Sequence, residues 1–228
     1  FNTTICDQNL DGTIEVNLNN VTSAILLNPG IYQVKYYANI TDANAGNANI
    51  LNNSWSFSTD TTIFVRVESD YCPVQIYPLD FKFGNRVTVL TSTLSQEVCD
   101  DDLDAIKSVN LKTFESFFTT DNSVSITYFN SENDAKNNVN PISSTQNVTS
   151  TGTYFLRFEK ANSCPNWAKI TVNIKIPKAS TTLQNVEICK DATYTLDAGT
   201  GFDSYKWSTG ETSQTVTKGI GEYYVDLE

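Results

Sequence analysis

Asp7-x-Asn9-x-Asp11-Gly12 puts side-chain oxygens at alternate positions of a tight turn, and such a turn can wrap one hard cation. The spacing returns as Asp100-x-Asp102-x-Asp104, with Ala105 where the turn glycine stands in the first copy. The twelfth positions are Leu18 and Leu111, so the bidentate glutamate of an EF-hand is absent from both. Two readings stay open. Asp7, Asn9 and Asp11, and again Asp100, Asp102 and Asp104, hold Ca2+ as a structural cofactor, or they form acidic solvated turns whose residues tolerate turn geometry. Lys190-Asp191 has lost the pattern and should hold no metal.

Catalysis finds little to work with. The chain has no histidine, which removes Ser-His-Asp and Cys-His machinery. It has no Gly-x-Ser-x-Gly, no phosphate-cradling glycine loop and no His-Glu-x-x-His. Two carboxylates could still perform glycoside hydrolysis, but repeats of one short module are a poor frame for it. The expectation is a protein that is not an enzyme. A net charge of −11 argues against a nucleic-acid partner, whose phosphates need Lys and Arg opposite them. It suits an extracellular protein and would attract divalent cations. No apolar run is long enough to cross a bilayer. Phe1 follows no basic, apolar leader, so an export signal is expected upstream or already removed.

Five cysteines carry the next signal. Cys6 and Cys72 are echoed about ninety residues later by Cys99 and Cys164, with matching neighbours. Cys6-Asp7 reads against Cys99-Asp100, Cys72-Pro73 against Cys164-Pro165, and Phe64-Val65-Arg66-Val67-Glu68 against Phe155-Leu156-Arg157-Phe158-Glu159. The spacing predicts one disulfide inside each module, Cys6–Cys72 and Cys99–Cys164, formed in an oxidising compartment. Each loop would contribute roughly 4 kcal/mol on the chain-entropy account. Four reduced core thiols are the alternative; zinc fits worse, without histidine or a close Cys-x-x-Cys. Cys189 is left over, as a free thiol or with a partner beyond residue 228.

The elements that must position these residues are strands. Ile14 to Leu18, Ile63 to Glu68, Tyr154 to Glu159 and Ile170 to Ile176 alternate apolar and polar residues, as half-buried strands do. Ile63, Val65 and Val67 should face a core, with Arg66 and Glu68 in water. Asp42-Ala43 and Asp134-Ala135, each after a Tyr-aromatic strand, predict an Asp N-cap and one turn of crossover helix between two sheets. The long-period repeat bounds the modules at 1–85 and 86–177, with a third, incomplete stretch at 178–228. The fold class expected is all-β: tandem immunoglobulin-like β-sandwich modules, the third incomplete. Trp207 should be the core tryptophan of the third stretch rather than a ligand platform. Tyr154 and Tyr223, each two residues after a glycine, resemble the tyrosine of a sandwich corner. Trp55 and Trp167 are expected to be exposed, as candidates for sugar contact.

The Cys-Asp-x-Asn/Asp-x-Asp-Gly opening, the Asp-Ala element and the Ile-Phe-Val-Arg-Val-Glu strand leading to a cysteine resemble the tandem modules of large secreted surface proteins of gliding Bacteroidota. The stretch from Ile188-Cys189 through Leu196-Asp197-Ala198-Gly199 to Trp207-Ser208-Thr209-Gly210 is similar to a second repeat type of the same proteins. The resemblance implies immunoglobulin-like modules of adhesins exported by the type IX secretion system, such as gliding-motility adhesins. It also implies O-glycosylation at Asp-Thr sites, for which Thr61 is the candidate. Asn-x-Ser/Thr sequons start at Asn2, Asn20, Asn39, Asn52 and Asn147 and matter only in a eukaryotic host. The sorting domain that ends such proteins is not visible, so an internal or truncated piece is expected.

The reading that follows is a non-enzymatic segment of a secreted bacterial cell-surface adhesin, spacing and presenting binding regions. Its partners are neighbouring repeats of the same chain and an unnamed surface glycan or protein. The alternative is a carbohydrate-binding accessory region of a secreted polysaccharide-degrading enzyme.

Overall fold

A computed structural model describes residues 2–100, 104 and 106–228. Asp102 and Ala105, part of the second acidic turn, lie outside the described residues. Module one runs β1 (Thr4–Ile5), β2 (Ile14–Asn17), α1 (Leu18–Ile25), β3 (Gln33–Tyr37), α2 (Ile40–Ala45), β4 (Ser54–Phe57), β5 (Thr61–Glu68) and β6 (Gln75–Phe83). Its sheets are β1-β6-β5-β3 and β2-β4. β1 runs parallel to the C-terminal end of β6, pairing Ile5 with Phe83, and the other pairs are antiparallel. The two layers close on Ile14, Val16, Leu18, Val21, Tyr36, Phe57, Ile63, Val65 and Phe81, all buried. Alternation along β2 and β5 puts those residues on one face, which is why a sandwich results.

Module two repeats this as β7 (Thr93–Cys99), β8 (Lys107–Asn110), α3 (Glu115–Phe118), β9 (Ser125–Phe129), α4 (Glu132–Asn137), β10 (Thr145–Val148), β11 (Thr151–Glu159) and β12 (Asn166–Lys175). The sheets β7-β12-β11-β9 and β10-β8 match module one strand for strand. Tyr154, Leu156 and Phe158 face the core as expected. Gly152 is needed because a Cβ there would lie 2.8 Å from the Tyr154 ring. Modules one and two, through Ile174, form one compact unit; residues 99–105 and 175–228 form a second.

That second unit holds β13 (Tyr194–Asp197), β14 (Tyr205–Trp207), β15 (Thr215–Lys218) and β16 (Val225–Leu227), as the two ladders β13-β15 and β14-β16. Trp207 is 2% exposed, pairs across the ladder with Val225, and donates its indole N–H to Ser213 O at 2.8 Å. It is a core residue. The core around it is small, with Ala198 and Val216 as its other buried members.

Several expectations need correction. The strand read over Ile14 to Leu18 stops at Asn17, whose side chain accepts from Asn19 N at 3.0 Å and starts α1. Asn110 does the same for the helical turn after β8, so Leu18 and Leu111 are buried by helices rather than strands. The crossover helices exist, but Asn39 and Ser131 cap them; Asp42 and Asp134 sit three residues later and donate their N–H to those caps. Trp55 is half-buried, ringed by Phe57 and Phe81, and Trp167 packs on Phe155 under the Lys136 ammonium. Neither is the exposed platform the sequence suggested.

Candidate functional site

The joint between modules one and two is the most elaborated place in the chain. Cys6 bonds Cys164, with Cα atoms 5.1 Å apart and 158 residues between them in sequence. Cys72, Cys99 and Cys189 are exposed free thiols. The predicted pairs Cys6–Cys72 and Cys99–Cys164 are therefore wrong, and strand direction explains why. Cys6 follows β1, which lies beside the C-terminal end of β6, whereas Cys72 precedes the N-terminal end of β6. Nine strand residues separate the two ends, about 26 Å, and a disulfide needs Cα atoms within about 7 Å. In module two, Asp100 N–H donates to Lys175 O at the C-terminal end of the ten-residue β12, while Cys164 precedes its N-terminal end. The early and the late cysteine thus lie at opposite poles of each module. The late cysteine of module two faces the early cysteine of module one.

The chain between the modules is fitted to this bond. Gly84 donates its N–H to Ile5 O at 2.8 Å. A Cβ on Gly84 would stand 2.3 Å from Cys164 Sγ and 3.3 Å from Cys6 Sγ, so a side chain there and the disulfide compete for the same space. Asn85 O accepts from Cys164 N–H, and Val87 N–H donates to Cys164 O, both at 2.8 Å. The late cysteine is pinned by backbone on both sides. Sequence reading passed over Gly84; its position one residue after β6 was the available signal.

The acidic turn closes the joint. Asp7 is 3% exposed; its Oδ2 accepts from Gly12 N–H at 2.9 Å and from Arg86 Nη2 at 3.0 Å. Arg86 is 40% exposed, so water screens much of this ion pair. Leu10 is held at φ +53° with its side chain buried, and Gly12 at φ +90°. Gln8 O accepts from Arg157 Nη2 of module two at 3.0 Å. Arg157 is 2% exposed; its Nη1 donates to Ala135 O and Lys136 O, and its Nε to Glu159. One guanidinium therefore ties the end of α4 to the turn of the preceding module.

Arg66, its counterpart, was expected in water. Instead it lies over α2 and donates to Ala43 O and Asn44 O. The periodicity gave the correct face and missed that the face is covered by the crossover helix.

Two of the candidate calcium residues are hydrogen-bonded within the turn. Asn9 donates to Asp11 Oδ2 at 2.8 Å, and Asp11 Oδ1 accepts from Thr13 N–H at 2.7 Å. Asp7 Oδ1 is buried with no hydrogen-bond partner. Among the described residues, no three of His, Cys, Asp or Glu gather into a metal-holding group. Asp100 is buried, and Asp104 is exposed. Thr61, the glycosylation candidate, opens β5 opposite Phe81 and is partly exposed.

No helix among the described residues is long and apolar enough to cross a membrane. No curated protein matches the chain. Among solved structures, human mucin-like protocadherin EC1-2 is similar at 13% identity and TM-score 0.26, covering 65% of this chain and 86% of that one. Sidekick-1 immunoglobulin domains 1-4 are similar at 10% identity and TM-score 0.25, over 86% of this chain and 61% of that one. Such scores carry no argument beyond the sheets already described. The family comparison is decisive. Residues 2–85 and 95–178 each match the Flavobacterium inter-domain disulphide bond domain, whose name describes the Cys6–Cys164 joint, and the chain belongs to that family.

Proposed function

We propose that this chain is a non-catalytic, extracellular segment of a bacterial cell-surface adhesin, exported through the type IX system and serving to space and present binding regions. The observation that carries the reading is the joint. A disulfide, a buried guanidinium and two backbone hydrogen bonds to Cys164 make two sandwiches into one body. Fixing module to module is what a spacer needs, whereas a catalytic pair would converge side chains on a cleft. The bond also needs an oxidising compartment to persist. The aromatic side chains support the same reading, since Trp207 is core and Trp55 and Trp167 are packed. Calcium at the Asp7 turn belongs to the proposal on the strength of one atom, the unpartnered buried Asp7 Oδ1.

A spacer of this kind binds nothing by itself. Incubated with insoluble polysaccharides and a glycan array, the oxidised 228-residue chain should remain in the supernatant and give no signal. Saturable retention, lost on Trp55→Ala or Trp167→Ala with the fold intact, would instead establish a carbohydrate-binding region.

A further inference from the structure

We propose that the third stretch carries a strand-addition site for an extended, Lys- or Arg-bearing peptide segment of another protein. The site goes beyond the spacer reading. It assigns to residues 178–228, outside the two joined sandwiches, a binding region for the spacer to present.

One wall of the site is the outer edge of β13. Ala198 N–H, just after β13, donates to Gln214 O, and the pairs Leu196–Val216 and Tyr194–Lys218 continue that bonded set. The backbone groups of Thr195 and Asp197 therefore point away from β15. On that side Asp197 O accepts from Thr182 Oγ1 at 2.6 Å, and Thr195 N–H and C=O are bonded to nothing among the described residues. The other wall is the run from Gln184 to Ile188. It starts beside Asp197 at Thr182 and returns into β13 through the turn that Ala192 N–H closes on Cys189 O. No backbone N–H or C=O from Gln184 to Ile188 is hydrogen-bonded among the described residues. Unpaired strand edges of this kind are where an extended peptide adds a strand.

These two walls border a groove of about 930 Å3, at the opposite end of β16 from Glu228. Its surface is apolar where an added strand would lie. Leu183 and Leu196 extend the Trp207 core into it, and Val186, Tyr194 and Ile220 stand exposed around it. Side chains of an added strand alternate between faces, so every second one would cover this surface. Charge selects the occupant. Glu187 and Glu222 line the groove and bond no cation among the described residues, whereas the one lysine on its wall, Lys218, is held by Glu211. A second copy of the chain would bring the same two glutamates and a further net charge of −11. Apolar residues alternating with Lys or Arg meet the bare edge, the apolar surface and the two carboxylates together.

The test uses the 228-residue chain and a short fluorescein-labelled peptide that alternates valine and lysine. Its anisotropy should rise saturably with the chain. Two control peptides should each bind at least tenfold more weakly. One has glutamate for lysine; the other keeps the lysines but has proline for valine, which breaks the row of N–H donors. Glu187→Gln combined with Glu222→Gln should weaken the lysine peptide at least fivefold, and both side chains are exposed, so the variant keeps the fold. Hydrogen exchange should show new protection at Thr195 and from Gln184 to Ile188 when the peptide is bound. Equal binding of the proline peptide would reduce the effect to bulk charge and overturn the proposal. Absence of saturation, or protection confined to other residues, would overturn it too. Protection of the same amides that grows with chain concentration alone, together with a dimer mass, would give the groove to a second copy and equally overturn it. Retention on polysaccharide would sink the spacer reading and leave these results untouched.

Discussion

The C-terminal ends of the first two modules start from one pattern and part just after the last strand. Module one leaves its last strand through Gly84 and Arg86, module two through Ile176 and Lys178. Both acidic turns bury their first aspartate, Asp7 and Asp100. Only module one has its early cysteine bonded, while Cys99 is an exposed thiol. Gly84 leaves open the space that the Cys164 sulfur fills, whereas Ile176 carries a side chain, 54% exposed, at the matching place. The buried first aspartate is therefore common to both ends. At the joint between modules one and two, the absence of a side chain on Gly84 leaves room for the Cys164 sulfur.

The most damaging change should be Gly84→Ala. The added Cβ overlaps Cys164 Sγ, so either the bond or the linker must move. Loss of a native disulfide typically costs about 2–5 kcal/mol. Denaturant unfolding with and without reductant should show that the wild-type gap between the two conditions largely disappears in the variant. An intact bond and an unchanged melt would mean that the glycine does not define the joint.

The paired arginines come next. Arg157→Ala removes a buried charge that satisfies three carbonyls, one of them across the joint, whereas Arg66→Ala removes a group that satisfies two. A hydrogen bond to a charged group is worth about 1.5–3 kcal/mol, and the two variants should differ by about that much, Arg157→Ala being the worse. Equal losses would show that Gln8 O contributes nothing to the joint.

The smallest effect concerns the cation. Calcium held on the Asp7, Asn9 and Asp11 turn would raise the thermal midpoint, since a ligand bound only by the folded chain stabilises it. Asp11→Ala would abolish the rise. A calorimetric titration without heat and a melt indifferent to calcium would leave the three side chains as turn residues, held by hydrogen bonds to Arg86 and within the turn.

Strand faces were legible because period-two alternation is a local property; Ile63, Val65, Leu156 and Phe158 all point inward as read. Trp207 was legible for a similar reason, as a large ring in a short strand of a small core. The crossover helices were legible from repetition, although the capping residue was misplaced because Asn39 and Ser131 differ between copies while the aspartates do not. The disulfide register was not. Matched spacing identifies which cysteines are equivalent, but pairing depends on which pole of the module each occupies. That follows from the parallel packing of β1 on β6, a contact between the two ends of the module. Helix α1 had no sequence signal, since β-branched Val21 and Thr22 disfavour a helix, and the burial of Leu18 and Val21 in the core overrides that preference.

The Cys6–Cys164 bond has a mechanical side. Tension entering at residue 6 crosses the sulfurs and leaves at residue 164, so the stretch between them, with the core strands of module one from β2 to β6, is taken out of the load path, while β12 of module two, which follows Cys164, stays in it. At about 3.4 Å per residue, roughly 500 Å of chain is withheld from extension while the bond is oxidised. A tandem pair built this way would extend less under pull. The withheld stretch would be released where a reductant reached the joint.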